Sequence, residues 1–130
     1  TRLGLSPPQR SLLTWLMTNL FVGAETFHHG DAHGADREAV GIVRRNSRAR
    51  IVSHPAGVDP LQRNRDIVAA CDVLIAAPDQ DVERLRSGTW ATVRAARARG
   101  IPIVMLPRWM VVAATIEEDH PCRREERRRR

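Results

Sequence analysis

Val73-Leu74-Ile75-Ala76-Ala77-Pro78, followed by Arg86-Ser87-Gly88-Thr89-Trp90, is the stretch whose reading decides the fold. Residues 72–77 have the length of a strand, and their apolar character suits a parallel strand covered on both faces. Pro78 closes the run, and residues 79–86 form a polar loop able to fold over a ligand. Ser87 then opens a helical pattern that Gly100 stops. A helix start carries unpartnered backbone N–H groups and the positive end of the helix dipole. Such a place attracts phosphate.

The same alternation recurs on either side. Ser6-Pro7-Pro8-Gln9 reads as a capped helix start, with Gln9 completing a capping box. Leu12, Leu13, Leu16, Met17 and Leu20 follow at helical spacing, and the helix is expected to end at Val22-Gly23-Ala24. Trp15 lies off that stripe. Thr26-Phe27-His28-His29 is β-prone and leads into Gly30-Asp31-Ala32-His33-Gly34-Ala35-Asp36, where two glycines let the backbone turn tightly and approach a ligand. Ala35, Ala39, Val40 and Val43 give the next helix face. Residues 50–54 read as a second strand. Asp59-Pro60 opens a helix to Ala70, with Leu61, Ile67 and Val68 as its apolar contacts. Ile101-Pro102-Ile103-Val104-Met105-Leu106 gives a fourth strand, and residues 108–116 suit either a last strand or a short helix.

Four strands alternating with helices predict an α/β fold: one Rossmann-like domain, a parallel sheet of four or five strands with helices on both faces. Residues 1–116 form that domain, and 117–130 form a charged tail expected to be disordered. In such folds ligands sit beyond the carboxyl ends of the strands. The polar groups gather there in sequence, at residues 29–36, His54, 78–86 and 87–90.

Composition narrows the classes. The chain has 130 residues and a net charge of +6. Its last eight residues hold six Arg and two Glu, or +4, which leaves +2 for the rest. Basicity is thus a property of the tail, which either touches nucleic acid weakly and salt-dependently or simply solubilises the chain end. No apolar run approaches the roughly 18–20 residues needed to cross a bilayer, and no signal-peptide pattern opens the chain. No membrane partner is expected, and the cytoplasm is the expected location. Cys71 and Cys122 suggest no disulfide framework. The histidines at 28, 29, 33 and 54 have no known metal-ligand spacing, so no metal and no resident cofactor are expected.

Three segments carry a resemblance: His29-Gly30-Asp31 with Gly34-Ala35-Asp36, then Arg63-Asn64-Arg65-Asp66-Ile67-Val68, then residues 72–78 with Ser87-Gly88-Thr89-Trp90. In this order and spacing the chain resembles the SLOG superfamily, the Rossmann-like group that includes DNA-processing protein A and the lonely-guy phosphoribohydrolases. Within it, the chain looks like the small stand-alone members of bacteria and phages. The resemblance implies a site for a nucleotide or nucleotide-derived ligand at the strand ends, and a homodimer or larger homo-oligomer. It also implies a test of chemistry. The phosphoribohydrolases carry Pro-Gly-Gly-x-Gly-Thr-x-x-Glu with a catalytic Glu; here Gly88-Thr89 matches, but Thr92 stands at the Glu position. Arg63 falls on that family's catalytic Arg and Asn64 on the neighbouring Lys. Without a carboxylate at Thr92, N-glycosidic hydrolysis lacks its acid/base group.

The candidate ligand-binding residues are therefore His29, Gly30, Asp31, Gly34, Ala35, Asp36, Arg63, Asn64, Ala77, Pro78, Arg86, Ser87, Gly88, Thr89 and Trp90, with no catalytic residue. Ser87, Gly88 and Thr89 either cradle phosphate or make an ordinary cap. Asp31 and Asp36 either hold ribose hydroxyls or, for Asp36, complement a helix dipole. Arg63 and Arg65 either clamp phosphate through the guanidinium fork or lie on a solvated face. Trp90 either stacks on a base or packs in the core. The leading expectation is a non-catalytic sensor or sequestering protein for a nucleotide or NAD-derived signal, such as ADP-ribose or a cyclic ADP-ribose. The alternatives are a nucleoside-monophosphate phosphoribohydrolase-like enzyme, with Asp31 or Asp66 as acid/base, and a DNA-binding protein related to DNA-processing protein A.

Overall fold

Helices and strands alternate from the first capping box onward. A computed structural model describes residues 3–57 and 59–109 as α1 (Pro7–Asn19), β1 (Thr26–His29), α2 (Ala35–Asn46), β2 (Arg50–Ser53), α3 (Pro60–Ala70), β3 (Leu74–Ala76), α4 (Gly88–Arg99) and β4 (Ile103–Met105). The undecided element over 108–116 falls outside the described residues beyond Trp109, as do the tail and Cys122.

The caps form as their residues require. Ser6 Oγ accepts from Gln9 N–H at 3.3 Å, while Gln9 Oε1 accepts from Ser6 N–H at 2.9 Å. Asp59 Oδ1 accepts from Leu61 and Gln62 N–H, with Pro60 in the first turn. Gly100 ends α4 in the left-handed conformation, φ 78°, which a side chain would disfavour. Two expectations on apolar stripes need correction at helix ends. α1 stops at Asn19, before Val22-Gly23-Ala24, because the N–H groups of Leu20 and Phe21 both turn back to Leu16 O; Leu20 is left exposed past the last turn. Leu61 is exposed as well, and Asn64, Ile67 and Val68 take the buried face of α3.

The strands pair in parallel, Phe27 with Ile51 and Ile75 with Val104 among the partners. The ladders are shorter than the apolar runs, since Pro102 and Pro107 flank β4 and give no N–H to a ladder. β1 pairs with β2 and β3 with β4 in two separate two-stranded ladders, so the expected single sheet of four or five strands is not seen as one ladder among the described residues.

Side-chain alternation along β3 and β4 divides the interior in two. Ile75, Ala77 and Val104 join Phe27 and Ile51 against a core of Leu13, Leu16, Met17, Ile42, Val43 and Leu106, supplied largely by α1 and α2. Leu74, Ala76, Ile103 and Met105 face a second core with Val68, Trp90, Val93 and Ala96, supplied by α3 and α4. Each fully buried Val or Leu contributes about 1.5–3 kcal/mol. Helices thus cover opposite faces of β3 and β4, and both strand pairs reach the α1/α2 core. No described helix is long and apolar enough to cross a membrane.

Candidate functional site

A cavity of about 810 Å³ opens where the ends of β1 and β3 meet the starts of α2 and α4 and the first turns of α3. That is the size range of small-molecule sites. Leu5, Leu13, Phe27, Ile67, Ile75 and Leu106 give it apolar walls, and His29, Asp36, Arg63, Asn64, Ser87 and Thr89 give it polar groups.

The β3 side is pinned from below. Pro78 is buried, and its carbonyl and that of Leu106 each accept from Gln9 Nε2 at 2.9 Å. Gln9 is wholly inaccessible, so one amide on α1 fixes the ends of both β3 and β4. Its far side bonds partners 69 and 97 residues away, which no local pattern reveals. Beyond Pro78 the loop is braced from outside: Trp90 Nε1 donates to Gln80 O, Arg94 donates to the carbonyls of Arg84 and Leu85, and Asp81 accepts from Arg108 N–H. The chain then reaches Ser87, whose Oγ accepts from Trp90 N–H at 3.3 Å. The N–H groups of Gly88 and Thr89 have no acceptor among the described residues, and the first turn of α4 holds no acidic side chain. Nothing lies within 4 Å of where a Cβ on Gly88 would stand.

The β1 side is built differently. Asp36 Oδ2 accepts from Gly30 N–H at 3.1 Å and Ala32 N–H at 3.2 Å, folding the turn over the start of α2. Asp31, at φ 57°, donates its N–H to His29 Nδ1 at 3.0 Å. His28 Nδ1 lies 2.9 Å from His54 Nε2, tying β1 to the chain just after β2. Burial, then the neighbouring His54 and Arg50, push the His28 pKa below the usual imidazole value.

Arg63 joins these parts. Its Nε donates to Asn64 Oδ1 at 2.9 Å, and its Nη1 to Gly30 O at 2.5 Å and His54 O at 3.5 Å. A Cβ on Gly30 would stand 2.8 Å from Nη1, so glycine is what lets the guanidinium approach. Three cations, Arg63, Arg84 and Arg86, line the cavity against two carboxylates, Asp36 and Asp79. The ion pairs among the described residues lie elsewhere, Arg10 with Glu38 and Arg94 and Arg97 with Glu83, so no carboxylate of the described residues pairs with any of the three cavity arginines.

Of the fifteen candidate residues, His29, Gly30, Ala35, Asp36, Arg63, Asn64, Ala77, Arg86, Ser87, Gly88 and Thr89 line this one cavity. Asp31 is exposed in the turn, Gly34 forms the N-cap of α2 at φ 86°, and Pro78 is buried beneath. Trp90 is 5% exposed and belongs to the α3/α4 core, its indole N–H held by Gln80 O at 3.2 Å. Arg65 is exposed and donates to Gln62. Thr92 lines the cavity, but its hydroxyl donates to Gly88 O at 3.0 Å. No group of three metal-ligating side chains occurs among the described residues. Cys71, capping α3, has its thiol pKa raised by burial and by Asp72, so it is no ready thiolate. The contributions of Leu5, Leu13 and Leu106 to the walls had no sequence signal beyond their being apolar.

No family model, no curated protein and no solved structure matches the chain.

Proposed function

We propose that the chain binds a nucleotide or NAD-derived small molecule, of the ADP-ribose or cyclic ADP-ribose kind, at the strand ends, and that it senses or sequesters this ligand without transforming it. The observation that carries the reading is one cavity edged by the Gly88 and Thr89 N–H groups, with no acceptor among the described residues, and by Arg63, with no carboxylate partner among them. Free helix-terminal N–H groups and guanidinium forks both suit phosphate oxygens. The apolar walls leave room for a base, and Asp36 for ribose hydroxyls.

The same proposal includes a Rossmann-like order β2-β1-β3-β4 and kinship with the SLOG superfamily. Phe27, Ile51, Ile75 and Val104 packing on one core supports the first. The convergence of Gly30, Arg63 and Gly88 supports the second. Binding without turnover is favoured because the Thr92 hydroxyl is engaged by a backbone carbonyl and Asp36 holds two backbone N–H groups. Calorimetry of the full chain against nucleoside mono- and diphosphates, ADP-ribose and cyclic ADP-ribose isomers tests this. Saturable binding of at least one, with no product after long incubation, is the expected result. Absence of binding to all of them at high micromolar concentration refutes it.

A further inference from the structure

We propose that Asn64 is a positioning residue that holds Arg63 as a fixed but un-neutralised cation, and so makes the cavity select anions over neutral ligands of the same shape. The inference rests on the ligand reading above in one respect, that the cavity takes an anion.

Among the described residues, every partner of the Arg63 guanidinium is a neutral oxygen: the side-chain amide of Asn64 and the backbone carbonyls of Gly30 and His54. A carboxylate is the strong partner for an arginine, because its two oxygens match the guanidinium fork. A carboxylate would cancel the charge; an amide oxygen accepts the same hydrogen bond and leaves the charge in place. Asn64 is 9% exposed, so water competes poorly for its bond to Nε. The remaining terminal nitrogen, Nη2, has no partner among the described residues. His54, whose carbonyl completes the set, is itself tied to β1 through His28. The result is a cation whose position is fixed from three elements before any ligand arrives, which lowers the ordering cost of binding.

The experiment uses the full chain, 15N-labelled, with inorganic pyrophosphate as the probe. The Arg63 Nε–Hε resonance, assigned through Arg63→Lys, reports the bond to Asn64 without any ligand. Asn64→Asp is expected to keep that resonance protected and the melting temperature unchanged, yet to weaken pyrophosphate binding about tenfold, as a charge-assisted bond becomes an effectively neutral one. Asn64→Leu should lose the protected resonance and several-fold in affinity. Wild-type affinity in Asn64→Asp, or a protected resonance in Asn64→Leu, overturns the proposal. Should the wild-type chain bind neither pyrophosphate nor ADP-ribose, anion selection falls together with the ligand reading. Wild-type affinity in both variants, while pyrophosphate still binds, counts against the role of Asn64 alone.

Discussion

Two helices begin at the same cavity, and they meet it with opposite chemistry. α2 has Asp36 and Glu38 in its first turn, and no side chain caps its Gly34 start. α4 is capped by the neutral Ser87 and has no acid in its first turn. The dipole of α2 is already complemented by its own carboxylates, and Asp36 is further engaged by two N–H groups of the preceding turn. The dipole of α4 is not complemented, and Arg63 adds an uncancelled charge to the same cavity. Like positions in a repeated strand-turn-helix pattern therefore do unlike work. The α4 start is open to an anion; the α2 start offers an acceptor, suited to a hydroxyl.

The contrast can be broken from below, at the strand ends that place α4. Gln9→Leu leaves Pro78 O and Leu106 O without their buried donor and Ser6 N–H without its acceptor. At about 1–3 kcal/mol for each buried group left unsatisfied, urea unfolding should show a loss of about 3 kcal/mol or more. The next largest effect is on binding. Gly88→Asp places a carboxylate at the α4 start in open space, making it resemble α2. Pyrophosphate affinity should fall about 100-fold, or about 2.7 kcal/mol, since like charges facing each other cost this much. Helix stability should hold or rise by about 0.3–1 kcal/mol, because the new charge complements the dipole. Opposite signs on binding and stability separate a site effect from simple unfolding.

At the other helix start, Asp36→Ala removes the acceptor for Gly30 and Ala32 N–H. These groups are only partly shielded from water, so about 1 kcal/mol of stability is expected to go, read by urea denaturation. Pyrophosphate binding should not weaken, because a nearby negative charge has been removed. The smallest effect is on pH. The folded pKa of His28 lies below its unfolded value, so the unfolded chain binds the proton more readily. This contribution to stability is complete above about pH 6.5, the unfolded imidazole value, and is lost as pH falls toward the depressed folded value. A denaturation series from pH 7.5 to 5 should show that decline, and His28→Gln should flatten it.

What the sequence discloses here is what adjacent residues decide. Ser6 with Gln9, Asp59 with Pro60, and Ser87 before Gly88 announce their caps, because a cap is settled within four residues. The convergence of Gly30, Arg63 and Gly88 follows from the order of strands and helices. Periodicity was less informative at the ends of helices: Leu20 and Leu61 keep the spacing of a buried stripe and are exposed. Trp90 shows another limit, since its spacing fits both a wall of the site and the core that it joins. The distant bonds of Gln9 and the neutral setting of Arg63 depend on which carbonyls the fold delivers, and that is a tertiary matter.

The most direct test of the contrast is a pyrophosphate titration of the 15N-labelled chain followed by backbone amide shifts. Saturable shifts are expected at Gly88 and Thr89, with those of Asp36 and Arg37 small and the titration midpoint moved about 100-fold higher in Gly88→Asp. Shifts centred on the start of α2, or an unchanged midpoint in Gly88→Asp, would contradict the contrast between the two helix starts.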